Sequence, residues 1–531
     1  MSLIRSRWLI ALLPLCLLAC APAPRAAAQN VYASIHGTVT DSTGAVIPQA
    51  AVTVVNTSTG IATKTTADAK GYYIFPQLQV GGPYTVTIAA PGFESYSSTG
   101  LNLNVNDNRD VDASLKVGAE AQTVQVAASA LQVDTSDTQL KQVVTSDQLE
   151  QIPLEGRDPA GLGKLNPGVV ESSDRFGSYS TNGSQTPQNS YLLAGTDIND
   201  GPLQNEGIAV NPDALSQENI VTSTLNPEFA RNSGQVVNEV IKAGTNNLHG
   251  SGFEYYRDTF LNNGNYFSQT RPPFHQNLYG GTLGGPIFRN KLFFFTAYQG
   301  LRNAIGQTTL QPTLDSAQFA GNFTDDQNYA NYPGVNSAGL SNKPMPFAVD
   351  GCAAGTAWDA CPAFAGGTVN IPTSQWNPIA ARLIQQYVPQ ANETIGGVSY
   401  YNFSSGTTNA QDQGVMRFDY TPTAKDSLWA STVFQSSPGT AVLGFGGGSF
   451  PGFGTTQSQH FKIFSASYTH TFNANMLNEL RGGYYRFNFP SVEPAQVVQP
   501  SSYGFSISPE IAQAGLPFLS VGNYFNLGFS Y

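Results

Sequence analysis

From about residue 250 onward every second side chain changes character, and few folds accommodate that pattern over so many segments. Met416, Phe418 and Tyr420 alternate with Arg417, Asp419 and Thr421. Phe464, Ala466 and Tyr468 alternate with Ser465, Ser467, Thr469 and Thr471, and Leu480, Gly482 and Tyr484 with Glu479, Arg481 and Gly483. Successive side chains of a strand point to opposite faces, so each segment carries one apolar and one wet face. Seven such strands are expected, over 250–258, 276–285, 291–300, 411–421, 426–435, 459–472 and 476–488. Short links (286–290, 422–425, 473–475) alternate with long ones (259–275, 301–410, 436–458), which is how periplasmic turns and extracellular loops alternate in an outer-membrane barrel. Charges then fall on the lumen face, since on the lipid face they would cost roughly 2–4 kcal/mol at the bilayer midplane.

Composition agrees. Charged residues make up 11% of the 531 positions, against ~25% in a soluble domain. Glycine (53), phenylalanine (31) and tyrosine (24) are plentiful. A net charge of −11 with no basic stripe argues against nucleic acid as a partner. Arg5 and Arg7 precede an apolar run, Trp8 to Leu18, and Ala26-Ala27-Ala28 offers a cleavage site before Gln29, so residues 1–28 read as an export signal. Leu17-Leu18-Ala19-Cys20 gives a rival lipoprotein reading in which Cys20 is acylated. No segment reaches the ~20 apolar residues of a spanning helix, so any membrane span must be β. Cys352 and Cys361 are the two cysteines beyond the signal, and in an oxidising compartment they are expected to close a small loop disulfide. Zinc would want four ligands, and no histidine lies near them.

Residues 29–117 carry short β-branched runs between turns: Ile35 to Thr40, Ala51 to Asn56, Ala62 to Thr66, Tyr72 to Phe75, Tyr84 to Ala89 and Val111 to Val117. This spacing predicts a β-sandwich. Asp41-Ser42-Thr43-Gly44 and Asp68-Ala69-Lys70-Gly71 supply turn chemistry. Gly37-Thr38-Val39-Thr40-Asp41, Gly44-Ala45-Val46-Ile47-Pro48, Lys70-Gly71-Tyr72-Tyr73 and Ala90-Pro91-Gly92-Phe93 resemble the carboxypeptidase regulatory-like domain, which implies a prealbumin-like or carbohydrate-binding-like sandwich. None of His36, His249, His275, His460 and His470 begins a metallopeptidase motif, no Gly-x-Ser-x-Gly elbow occurs, and Gly163-Lys164 lacks the Walker spacing, so no enzyme, cofactor or metal is expected.

Between 118 and 249 the pattern is mixed. Thr145 to Gln148 has capping-box form, and Pro153 ends the helix it would start. Gln151 to Arg157, Leu165 to Val169, Asn189 to Asp197, Glu228 to Gly234 and Lys242 to Asn246 resemble, in order and spacing, the plug of TonB-dependent receptors, and specifically the Oar-like branch. Ala194 departs from that pattern where the family usually has Asp, and Gln185 where a basic residue is common. Asp197, Asn199 and Asp200 miss the calcium-loop spacing.

The resemblance implies a mainly β protein in four parts: signal (1–28), sandwich (29–117), α+β plug (118–249) and the first part of an antiparallel transmembrane barrel (250–531). It implies the cell outer membrane, lipid around the barrel, a periplasmic TonB complex, and energy-coupled uptake of a scarce solute, with carbohydrate, peptide and siderophore all open. A surface adhesin or carbohydrate-binding protein is the alternative. Coupling needs an extended segment that a partner can pair with by strand addition, and Gln122, Thr123, Val124, Gln125 and Val126 are the candidate, in a linker or as a plug strand. Receptors with plugged lumens close with about 22 strands, so seven suggest a sequence that stops part-way. The closing alternation Phe525, Leu527, Phe529, Tyr531 could instead be an eighth and final barrel strand, but eight strands leave no room for a plug.

Overall fold

The computed structural model describes residues 32–118, 123–127, 139–154, 157–172, 179–201, 204–223, 232–264, 271–322, 373–441, 443, 448–473, 476–492, 499–506, 515–522 and 524–528. The export signal, Cys20, Cys352 and Cys361 lie outside these residues.

The sandwich is built from β1 (Tyr32–Asp41), β2 (Ala51–Asn56), β3 (Ala62–Thr66), β4 (Tyr72–Gln79), β5 (Gly81–Ala89), β6 (Ser95–Leu103), β7 (Asn108–Asp110) and β8 (Ala113–Leu115). One sheet runs β4-β1-β7 with β8 also on β1; the other runs β3-β2-β5-β6 and continues into β9 (Thr123–Ala127). Ile35, Val39, Val52, Val54, Val86, Ile88 and Leu103 fill the space between them. The turns form as their residues dictate. The Asp41 carboxylate accepts from the Thr43 and Ala45 N–H groups (2.8 and 2.9 Å), and Asp68 from those of Lys70 and Tyr72 (2.8 and 2.9 Å). Gly71 follows at φ 71°, where a β-carbon would also strike the Val39 carbonyl. β6 was not expected: Ser-Tyr-Ser-Ser-Thr-Gly has no apolar period, and backbone pairing with β5 makes it a strand.

The region expected to be a plug, and called so below, holds a sheet of order β10-β15-β16-β13-β14, from β10 (Leu140–Thr145), β13 (Ser190–Leu193), β14 (Thr196–Asp197), β15 (Leu215–Ser223) and β16 (Val236–Ile241). A small hairpin, β11 (Val169–Glu171) with β12 (Tyr179–Thr181), stands apart. Helix α1 (Ser146–Gln151) starts where the capping box placed it: the Gln148 side chain reaches back to the Thr145 N–H at 3.0 Å. It stops before Pro153, which has no N–H to donate.

The barrel wall is one antiparallel sheet, β17-β18-β19-β21-β22-β23-β24. Its strands are β17 (His249–Asp258), β18 (Phe274–Phe288), β19 (Leu292–Pro312), β21 (Val398–Thr423), β22 (Asp426–Ala441), β23 (Thr455–Asn473) and β24 (Met476–Asn488), with β20 (Glu393–Ile395) and β25 (Ser491–Val492) added at the long-loop end. All seven expected strands are present in the expected order. Outward, Met416, Phe418, Tyr420, Phe464, Leu480 and Tyr484 are exposed; inward, Arg417, Asp419, Ser465, Ser467 and Thr469 are buried. β19 and β21 run far past the expected ends, pairing from Leu292↔Tyr420 to Pro312↔Tyr400. The first and last stretches of what looked like a loop over 301–410 are therefore strand, running beyond the ~10 residues that cross lipid and mixing Arg302, Asn303, Thr308 and Thr309 with Leu301, Ile305 and Leu310.

The long connections fold onto one another. Helix α2 (Ser316–Phe319), helix α3 (Pro378–Tyr387), and the hairpin β26 (Leu519–Val521) with β27 (Phe525–Leu527) share a core of Leu314, Leu383, Phe450, Phe453, Tyr503, Phe525 and Leu527. The expectation that the closing alternation could be a final barrel strand fails here. Phe525 and Leu527 are buried in this loop module rather than turned to lipid. Phe529 and Tyr531 lie outside the described residues.

Candidate functional site: the junction of sandwich, plug and wall

The short turns of the wall, the link from plug to β17, and the sandwich all meet at one end of the barrel. Three pieces of chain converge there on Arg417. Its guanidinium lies on the lumen face of β21, pairs with Asp419 two positions along the same face (2.8 Å), and donates to the Ile241 carbonyl of the plug (2.8 Å). The same guanidinium sits 5.3 Å from the centre of the Trp429 ring. Asp419 also accepts from the Gln79 side chain of the sandwich (3.3 Å). Both charged side chains are nearly fully buried, at 9% and 3% exposed. Such a pair is stable only because every partner is in place, and removing one partner of a buried pair typically costs about 3–5 kcal/mol.

Trp429 extends the junction. Its indole N–H donates to the Tyr32 hydroxyl (3.0 Å), which lies 3.5 and 3.4 Å from the Ser467 and Thr469 hydroxyls. Tyr32, Trp429 and Ala194 form one buried apolar cluster, with one residue from each of the three parts. This accounts for the departure at Ala194. Leu193↔Thr196 closes a two-residue hairpin in which Ala194 and Gly195 both have positive φ (48° and 78°), a turn that favours Asn or Asp at the first position. A carboxylate there would point at Tyr32 and Trp429 in a buried site, whereas a methyl group packs.

The rest of the seat combines polar pairs with an apolar core that plug and wall share, in which Leu193, Ile198 and Ile241 meet Phe295, Val415 and Phe461. Gln413 on the wall accepts from the Asn211 N–H (2.7 Å) and donates to the Ala209 carbonyl (2.8 Å). The Thr196 and Ser465 hydroxyls are 2.6 Å apart, and a side chain on Gly483 would displace Thr196. Arg157 of the plug pairs with Asp213 (2.6 Å) and lies over the Phe253 and Tyr255 rings of β17. Burial pushes the Asp213 carboxyl upward, and Arg157 opposes that. Asp197, Asn199 and Asp200 shape their own loop: Asp197 accepts from the Asn199 N–H (2.9 Å), and Asn199 bonds the Tyr191 N–H, the Asn189 carbonyl and the Gln204 carbonyl.

At the plug's centre the chemistry is reversed. Glu218 and Glu239 stand directly opposite each other on β15 and β16, and Asn219 opposite Asn238 on the other face. Both glutamates are buried (1% and 2% exposed), and each has one carboxyl oxygen with no hydrogen-bond partner among the described residues. Burial, with Asp158 nearby, pushes Glu218 up to about 8. Burial and the neighbouring Glu218 hold Glu239 well above the usual carboxylate range, and burial with Glu239 does the same to Glu206. Each of these carboxyls therefore holds its proton to higher pH than an exposed carboxylate would.

Of the residues singled out in sequence, Thr123 to Val126 form most of β9, parallel to Ser95–Ser98 of β6; Gln122 lies outside the described residues. The segment is thus neither a bare linker nor a plug strand. It is the last strand of a sandwich sheet among the described residues. Sequence reasoning placed Arg417 and Asp419 on the lumen face but missed their role as a junction. The available signals were an Arg-x-Asp pair on a wet face, and Glu-Asn and Asn-Glu embedded in the β-branched runs of β15 and β16.

With this geometry in hand, comparison with known proteins is direct. The outer membrane beta barrel domain family matches residues 240–531, more than half of the chain. The chain belongs to that family. The carboxypeptidase regulatory-like domain family matches residues 34–116. A curated relative, the TonB-dependent transporter Oar of Myxococcus xanthus, is 29% identical over 283 residues, covering 50% of this chain and 26% of the relative; the chain spans about a quarter of that relative's length. Among solved structures, it is similar to the outer membrane transporter YddB of Escherichia coli (TM-score 0.37, 13% identity, 62% of this chain and 37% of that one). It is also similar to the ferric enterobactin receptor PfeA of Pseudomonas aeruginosa (0.36, 12%, 65% and 40%) and to the siderophore receptor PirA of Acinetobacter baumannii (0.32, 13%, 66% and 48%). The protein is a mainly β, outer-membrane β-barrel protein.

Proposed function

We propose that the chain carries the sandwich, plug and first wall strands of a receptor that takes up a scarce solute when a periplasmic TonB complex displaces the plug. The observation that supports this most is the seat itself: a sheet lodged against the lumen face of a barrel wall through a shared apolar core (Leu193, Ile198 and Ile241 with Phe295, Val415 and Phe461) and through polar contacts that include the buried charged set Arg417–Asp419–Ile241. The coupling contact in this reading is Gln122–Val126, and the strand form of Thr123–Val126 suits pairing by strand addition. In the same reading Cys352 and Cys361 close a disulfide in an outer loop, which a two-dalton mass change on reduction would reveal.

The test is photo-crosslinking in cells from probes at Thr123, Val124, Gln125 and Val126. The reading expects adducts with the TonB complex that disappear in Val124→Pro, because proline cannot donate to a ladder. Folded, membrane-inserted protein that gives no adduct at any position would overturn the assignment of this segment.

A further inference from the structure

The sandwich does more than precede the plug, because its contacts bridge plug and wall at the end through which a plug would leave. Toward the wall, the Tyr32 hydroxyl engages Trp429, Ser467 and Thr469, and Gln77 donates to Glu479 (3.0 Å). Gln79 reaches Asp419, the acid that holds Arg417 on the plug. At the base of β17, the Asn246 N–H donates to the Ser58 carbonyl (2.9 Å), and its side chain bridges Thr59 and Asn290. Toward the plug, Lys141 of β10 lies 3.8 Å from Asp107, and Asn219 of β15 donates to the Val105 carbonyl (3.3 Å). These contacts are mostly neutral hydrogen bonds, individually weak against water, so they can release without unfolding the sandwich, whose own core is separate.

We propose that the sandwich is a releasable latch: docked across the short-turn end it holds the plug in its seat, and undocking it is the first step of plug movement. This rests on reading residues 118–249 as a movable plug. The geometry also gives the latch an order of events. β9 pairs with β6, so tension applied at 123–127 reaches the sandwich edge before it reaches β10. Because Gln79 shares Asp419 with Arg417, undocking removes one of the groups that satisfies the buried carboxylate and weakens the charged tie between plug and wall.

The experiment uses the full chain reconstituted in lipid, with hydrogen exchange followed by mass spectrometry. The variant Tyr32→Phe/Gln77→Ala/Gln79→Ala removes the wall contacts and leaves the sandwich core intact. Exchange in 215–223 and 236–241 is expected to rise about tenfold or more, with 292–312 unchanged. In Ser58→Cys/Asn246→Cys, a disulfide between adjacent backbones ties the sandwich down; oxidation is expected to hold plug exchange at or below the unmodified level, and reductant to restore it. If the triple variant frees the sandwich, shown by faster exchange at Asn246 and in the 419–429 peptide, yet leaves the plug strands as protected as before, the latch is wrong while the movable plug stands. If plug and wall exchange only together in every variant, the plug reading itself fails and the latch with it.

Discussion

The wall and the plug bury ionisable groups in opposite ways. On the wall, Arg417 and Asp419 face each other two positions apart, with plug, tryptophan and sandwich groups filling the remaining bonds. In the plug, Glu218 and Glu239 face each other with no ion pair to either among the described residues, and burial holds both carboxyls above the ordinary carboxylate range. The first arrangement is strong and brittle, and the second is weak and pH-dependent. A receptor whose wall must persist while its plug moves would be expected to divide its polar groups in this manner.

The sharpest way to break the contrast is Arg417→Ala, which strands the Asp419 carboxylate. The plug–wall contact is expected to lose about 3–5 kcal/mol, read as an early plug transition in denaturant titration while the wall strands hold. Next is Ala194→Asp, which suits the left-handed turn but forces a carboxylate against Tyr32 and Trp429. A net loss of roughly 1–3 kcal/mol in the same titration is expected, and a gain would mean that the turn outweighs the packing. The plug's acids set a pH dependence whose sign is fixed. A carboxyl whose folded pKa is raised binds protons more tightly in the folded state, so plug stability is full below about 4.5 and falls as pH climbs toward about 8. The slope is up to ~1.4 kcal/mol per pH unit for one carboxyl. Glu218→Gln should flatten it and stabilise the plug at pH 8, measured by plug-strand exchange across pH; an unchanged slope would contradict the assignment. Smallest is Asp68→Ala in the sandwich, which frees the Lys70 and Tyr72 N–H groups and should cost about 1 kcal/mol in sandwich unfolding, with plug exchange as a control.

How much of this was legible follows from the same contrast. The wall could be read because bilayer and lumen impose opposite demands on alternate residues such as Phe418 and Asp419, and those demands are local. Where β19 and β21 leave the bilayer the demands vanish, so Arg302 to Gln311 reads as loop although it is strand. β6 failed to show for a similar reason: its Ser and Thr residues are ordered by a neighbour, not by a period. The loop module and its Phe525–Leu527 hairpin depend on contacts between segments hundreds of residues apart, which no local pattern carries. The turns, by contrast, were visible residue by residue, because Asp41 and Asp68 act on their own backbone. The junction was half visible. Arg417 and Asp419 could be assigned to the lumen, but the Ile241 carbonyl, Gln79 and Trp429 that give the pair its role come from three other places in the chain.

The central claim is a β-wall whose outer face meets lipid and whose inner face seats the plug. Single cysteines at 416, 417, 418, 419 and 420 of the membrane-inserted protein, each carrying a fluorophore, test it with a lipid-confined quencher. Strong quenching at 416, 418 and 420 and little at 417 and 419 is the predicted result. Uniform quenching, or none at any of the five positions, would contradict the account.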